Sequence, residues 1–273
     1  MRDTANTIHT DPEQVAHAFL TPRAPKQARE LVLDGGKALR VATPEGDVAL
    51  QSIGSGPTVL LLHGWEGQAS DLASFVSPLL IAGFSVLVME LPAHGASARR
   101  RTSIPQLARA LIAVGEALGP FHAAVAHSMG SAVLAEALHA GLAAQRAVLV
   151  AAPARYEHYA RSFAAAAGLD ADGIDAMLSV LRIMIGVDVS EISLPQRAPN
   201  LRQPALFIHS GDDEVVPIED SLDSAAAWPG ARHMRVEGLG HRRILSDLTV
   251  VGAAVEFISI VPEKVLHKDE RVG

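Results

Sequence analysis

The chain has 273 residues and no cysteine. Disulfides, thiolate nucleophiles and cysteine metal sites are therefore excluded at the outset. It also lacks a basic excess. Its 23 lysines and arginines against 30 aspartates and glutamates give a net charge of −7, which speaks against a nucleic-acid or anionic-membrane partner but leaves room for a local basic patch. Long apolar runs are missing too. The longest, such as Ala147 to Ala152, are far too short to cross a bilayer, so no membrane insertion is expected. The stretch Met1 to Pro22 carries Asp3, Asp11, Glu13 and two histidines without an apolar h-region. No secretory signal is expected there, and a cytoplasmic location is the default. The chain has 12 histidines but no H-E-x-x-H and no histidine pair on a helix near a carboxylate, so no metal is expected. With no Walker or G-x-G-x-x-G fingerprint, no nucleotide and no other cofactor is expected. Nothing in the sequence sets an oligomeric state.

What is present is 49% hydrophobic residues and 19% charged ones, in a length that suits one large core. Asp11 to Leu20 reads as a short helix with a capping Asp. Arg23 to Arg29 is a basic connector. Leu31 to Leu33 and Leu39 to Ala42 are weak strand candidates, and Val48 to Ile53 alternates better, suggesting an antiparallel opening of two or three strands. Thr58 to Leu62, Ser85 to Leu91, Ala123 to Ala126, Arg146 to Ala152 and Pro204 to His209 are short apolar runs bounded by turn signals, as strands buried on both faces read. Helical patterns alternate with them: Asp71 to Ile81, Pro105 to Leu118 with Ser103 placed to cap it, Ser131 to Ala140, Ile218 to Trp228, and Ile244 to about Ile260. His233 to Glu237 is a last strand, and the charged tail Pro262 to Gly273 is expected to be loose. Such alternation predicts a mostly parallel central sheet with helices on both faces and a site at the carboxyl ends of its strands.

The alternation breaks between Ala154 and Pro204. Two or three short helices fit there. One carries an apolar stripe of Ile174, Met177, Leu178, Leu181, Met184 and Ile185. This predicts a helical lid over residues 154–203, inserted into a core of residues 1–153 and 204–273, with the stripe walling an apolar pocket.

Chemistry enters at Val125-Ala126-His127-Ser128-Met129-Gly130. A serine on a sharp strand-to-helix turn, flanked by small residues, fits the nucleophile-elbow pattern G-x-S-x-G, with Ala126 in place of the first glycine. A serine hydroxyl needs a base, and the base needs an acid to hold its tautomer. In this class of sheet the order is serine, acid, histidine. Ser128, Asp213 and His241 come in that order, each on a loop shortly after a predicted strand.

These segments resemble the α/β-hydrolase fold superfamily. The matching stretches are His63-Gly64-Trp65, Glu90 to Ser97, His127 to Gly130, Gly211 to Pro217 and Gly240-His241, so the likeness spans roughly residues 58 to 245. The resemblance implies Ser128 as nucleophile and His241 as base. Its D-x-V-V-P spacing implies Asp213 as the acid, with Asp212 the adjacent alternative. It implies an oxyanion hole made by the backbone N–H groups of Trp65 and Met129. Glu90 stands where the family more often has Asp, in a loop of structural role.

His63, His94 and His209 are expected to brace loops, and His127 to pack or to line the pocket edge. Arg99-Arg100-Arg101 reads as a solvated surface. Trp65 fits a pocket wall and a packing role equally well. Glu66 would disfavour an anionic substrate if its carboxylate pointed inward.

The expected activity is cleavage of a small-molecule carboxylic ester with a small-to-medium uncharged acyl group. The same triad serves amide, thioester and carbon–carbon hydrolases and cofactor-free perhydrolases. A serine at 128 excludes the aspartate nucleophile of haloalkane dehalogenases of this fold. A non-catalytic ligand-binding protein is the reading from another class.

Overall fold

The computed structural model describes residues 10–25, 27, 29 and 31–260. The expected tail Pro262 to Gly273 and the first nine residues lie outside them. In chain order the elements are α1 (Pro12–Phe19), β1 (Lys37–Thr43), β2 (Gly46–Ile53), β3 (Thr58–Leu62), α2 (Ala73–Ile81), β4 (Ser85–Met89), α3 (Ile104–Leu118), β5 (Ala123–His127), α4 (Met129–His139), β6 (Ala147–Val150), α5 (Tyr156–Ala166), α6 (Ala171–Ile185), α7 (Leu194–Arg197), β7 (Ala205–Ser210), α8 (Ile218–Ala227), β8 (Arg232–Val236), α9 (Gly240–Arg243) and α10 (Leu248–Ser259).

Among the described residues the strands form one eight-stranded sheet in the order β1-β2-β4-β3-β5-β6-β7-β8. The two opening strands pair antiparallel, β1 with β2 and β2 with β4. All later neighbours are parallel. The central strands explain this arrangement. Every residue of β4, β5, β6 and β7 is buried, which needs helices on both faces. Two apolar clusters supply that cover, one on each face. Leu60, Leu62, Ala124 and Ala126 point into one, and Val59, Leu61, Ala123 and Val125 into the other, as the two-residue period of a strand requires. The chain winds from β3 to β4 in one direction and from β5 onwards in the other, so the gap between β3 and β5 is a topological switch point.

Three expectations need correcting. Leu31 to Leu33 is not a strand: the Leu31 carbonyl is taken by the Gln51 side chain, and Gly36 N–H bonds Leu33 O as Gly35 (φ 77°) turns the chain. Ser103 precedes α3, but its hydroxyl donates to Gln106 Oε1 rather than capping the helix. The last helix begins at Leu248, later than expected, because the Asp247 carboxylate accepts from Thr249 and Val250 N–H and so starts a new helix there.

Candidate active site

Four of the five non-glycine residues with positive φ among those described lie just past the carboxyl ends of successive parallel strands: Glu66 (φ 54°) after β3, Ala93 (φ 67°) after β4, Ser128 (φ 52°) after β5 and Ala151 (φ 52°) after β6. Backbone strain of this kind collects at sites. At Ser128 the tight turn is made possible by its neighbours. A Cβ added to Gly130 would meet the His63 carbonyl oxygen at 2.5 Å, and one added to Gly64 would meet Ser128 Cβ at 2.9 Å. Two backbones touch at this point, which is why small residues are required. Ala126 is fully buried and accommodated.

The turn lifts the Ser128 hydroxyl toward His241, whose Nε2 is 3.0 Å from Ser128 Oγ. His241 Nδ1 lies 2.8 Å from Asp213 Oδ2. A carboxylate can only accept, so Nδ1 carries the proton and Nε2 presents its lone pair to the serine. The three residues sit after β5, β7 and β8, and 113 sequence positions separate Ser128 from His241.

Of the two adjacent aspartates, Asp213 is the one that reaches the histidine. Its Oδ1 accepts from Val215 and Val216 N–H at 2.8 and 2.9 Å, and buried His209 comes within 3.4 Å of its Oδ2. Burial alone would favour the neutral acid. The hydrogen bonds from His209, His241 and Val216 outweigh it and hold the Asp213 carboxyl well below the usual range. Asp212 instead accepts from Gly240 N–H at 3.1 Å and from the Ser210 hydroxyl, which shapes the loop that carries His241.

Trp65 and Met129 line the same cavity as Ser128. Met129 is the first residue of α4, where an N–H has no intrahelical partner. Among the described residues, neither backbone N–H donates to another protein atom.

The histidines divide by role. His63 is fully buried. Its Nδ1 bonds Gly64 O at 2.8 Å and its Nε2 accepts from Leu91 N–H at 3.1 Å, so it ties the β3 loop to the β4 loop. Burial, helped by neighbouring His94 and His127, pushes its pKa down to about 3. His94 accepts from Glu66 N–H at 3.1 Å, and His209 donates to Val216 O at 2.9 Å. Of the two roles expected for His127, the structure shows packing: it is buried, with its ring against that of His241. It is absent from the pocket wall, and its Nε2 lies 2.8 Å from the main-chain carbonyl of His241. The motif offered no signal for that contact, since His127 Nε2 and His241 O meet only through the fold.

Beside Ser128 lies an apolar cavity of about 620 Å³, lined in part by Phe19, Trp65, Met129, Tyr156, Tyr159 and Phe163. That is within the usual size of a small-molecule site. The stripe on α6 does not wall it. Met177 and Leu181 are fully buried in the core cluster with Val15, Ala16 and Leu20 of the α1 region, because a stripe of large aliphatic residues gains more from packing against α1 and α5 than from facing a cavity. The wall comes from α5 and from α1, whose Phe19 stacks near Tyr156 and Phe163 with centroids 5.2 and 5.3 Å away. Tyr159 donates to Asp220 at 2.7 Å, and the same oxygen accepts from Ala154 N–H at 2.9 Å, which fastens α5 to α8. Trp65 is part of the wall. Glu66 also lines the cavity, but its carboxylate is engaged by Arg23 (2.8 and 3.3 Å), so the expected repulsion of anions is neutralised. Among the described residues no group of three His, Asp or Glu side chains is arranged to hold a metal ion, and no helix is long and apolar enough to cross a membrane.

Comparison with known proteins agrees with this architecture. The human serine hydrolase-like protein is 38% identical over 69 residues, covering 24% of this chain and 34% of that protein, so the chain spans about a third of that relative's length. A dihydrolipoyllysine-residue acetyltransferase component of the acetoin cleaving system of Pseudomonas putida is 27% identical over 243 residues, 73% of this chain and 63% of that one. An esterase of Pyrococcus furiosus superimposes with a TM-score of 0.67 at 18% identity, over 86% of this chain and 98% of the esterase, a likeness of fold. The model of the alpha/beta hydrolase family matches residues 59–253. With that match covering most of the chain, and the strand order and switch-point site described above, this protein belongs to the alpha/beta hydrolase family.

Proposed function

We propose that the protein is a serine hydrolase that cleaves carboxylic esters with small-to-medium uncharged acyl groups, by way of an acyl-enzyme on Ser128. The observation that carries the reading is the unbroken run of contacts from Ser128 Oγ to His241 to Asp213. Ser128 Oγ attacks the ester carbonyl as His241 Nε2 takes its proton. Asp213 stabilises the resulting imidazolium and keeps Nδ1 protonated. The Trp65 and Met129 N–H groups receive the developing oxyanion, the latter at the positive end of α4. The alcohol departs with the proton returned by His241, and a water molecule, deprotonated by the same nitrogen, hydrolyses the acyl-enzyme. The acyl group occupies the apolar cavity, and residues 154–203 serve as the cap that keeps water from it.

The test is intact-mass labelling with a fluorophosphonate probe. One adduct on the wild type and none on Ser128→Ala is expected. A folded wild type left unmodified by both the fluorophosphonate and a smaller sulfonyl fluoride would move the assignment to a non-catalytic ligand-binding protein.

A further inference from the structure

A second cavity, of about 1010 Å³, opens next to the first and shares Thr21 and Arg23 with it as wall residues. Five arginines from three separate parts of the chain line it: Arg23, Arg29, Arg40, Arg99 and Arg100. The only carboxylate on this wall among the described residues is Glu90. One of its oxygens already accepts from Ala69 N–H at 2.7 Å and the other is buried, 3.6 Å from His63 Nε2. Arg23 is matched by Glu66 and Arg99 by Glu45. Arg29, Arg40 and Arg100 have no carboxylate within 4.0 Å among the described residues. In a chain of net charge −7, a large concave wall with this excess of guanidinium groups is the reverse of what chance placement gives. Guanidinium forks suit phosphate oxygens.

We propose that this cavity is a phosphate-binding subsite for the leaving group, so that the substrate is an acyl ester or thioester whose leaving group carries phosphate. The inference rests on the reading of Ser128 as nucleophile. The acyl chain lies in the apolar cavity, the scissile carbonyl at Ser128, and the phosphate-bearing arm passes Arg23 into the arginine-lined cavity. Ser128 Oγ forms the new bond to the carbonyl carbon, the bond to the leaving sulfur or oxygen breaks, and that atom takes the proton held by His241. Water then releases the carboxylic acid.

The experiment compares butanoyl-coenzyme A, which carries phosphates, with the butanoyl thioester of N-acetylcysteamine, which has the same acyl group and thioester without them. On wild type, kcat/KM is expected to be about tenfold or more higher for the coenzyme A thioester, since charged hydrogen bonds of this kind are worth a factor of ten or more. In the double variant Arg40→Ala, Arg100→Ala that preference should collapse through KM while turnover of the neutral thioester stays unchanged. Equal use of the two thioesters, or a preference that survives in the double variant, would overturn the subsite. Binding of butanoyl-coenzyme A by calorimetry to Ser128→Ala, with and without the two arginine substitutions, separates this from the nucleophile assignment. Weaker binding without the arginines supports the subsite even if no thioester is turned over, and equal binding rejects it.

Discussion

His127 donates through Nε2 to the main-chain carbonyl of His241 at 2.8 Å, and their rings pack with centroids 4.8 Å apart. The residue that precedes the proposed nucleophile thus holds the backbone of the proposed base. The contact joins the β5 turn to the loop after β8, so the distance between Ser128 and His241 does not depend on either loop alone.

His127→Phe keeps the ring volume and removes the donor. A buried carbonyl left without its partner costs about 1–3 kcal/mol. If the contact positions His241, kcat should fall about tenfold to a hundredfold with KM little changed. Steady-state kinetics on a chromogenic ester checks this, and a change confined to KM would show that His127 acts elsewhere.

The two aspartates can be told apart in the same assay. Asp213→Asn leaves His241 Nδ1 facing an amide and should lower kcat by about 10³ to 10⁴ through loss of the correct tautomer. Asp212→Asn keeps an acceptor oxygen for Gly240 N–H and loses only the charge, and should cost no more than about tenfold. The opposite ranking would reassign the acid.

Stability should fall as the solution is acidified below neutrality. His63 and His127 are buried and held neutral, with pKa values of about 3, against about 6.5 in the unfolded chain. Between those values the unfolded chain binds more protons than the folded one, so stability rises with pH across the window. Each histidine contributes at most about 1.4 kcal/mol per pH unit. His63 faces Glu90 and His94, and His127 faces His241, Arg242 and Asp213. The depressed Asp213 carboxyl adds a further loss at lower pH, and the raised Glu90 carboxyl opposes it. Urea unfolding at pH 5 and pH 7 measures the slope. His127→Phe should flatten it by one histidine's share.

Phe19→Ala opens the cavity wall that α1 contributes. Relative kcat/KM should move toward longer acyl chains by about tenfold across a series of p-nitrophenyl esters, since a methylene in an apolar pocket is worth about 1–3 kcal/mol. An unchanged chain-length profile would place the acyl group away from Phe19.

The parallel strands and the order of Ser128, Asp213 and His241 were legible because local sequence carries them. A strand buried on both faces reads as an apolar run, as Thr58 to Leu62 does, and a tight turn demands Gly130. What the sequence withheld was placement across the fold. The stripe on α6 announces burial without naming its partner, so its packing against α1 could not be told from the wall of a pocket. Nothing in Phe19, 109 positions before Ser128, says that it flanks the serine. Arg40 looks like an isolated surface charge, and Arg100 like part of a solvated basic run, until the β1 strand and the loop after β4 bring them to one wall.

The positive-φ residues along the strand ends have a consequence for anyone who evolves this protein in the laboratory. Each such residue costs on the order of 1–3 kcal/mol, and Glu66, Ala93, Ser128 and Ala151 lie along one edge of one sheet. A selection that rewards folding yield and ignores turnover will find its easiest gains there, by drifting toward glycine or asparagine. Ser128 stands among those positions, so libraries screened only for expression will enrich variants that lack the proposed nucleophile.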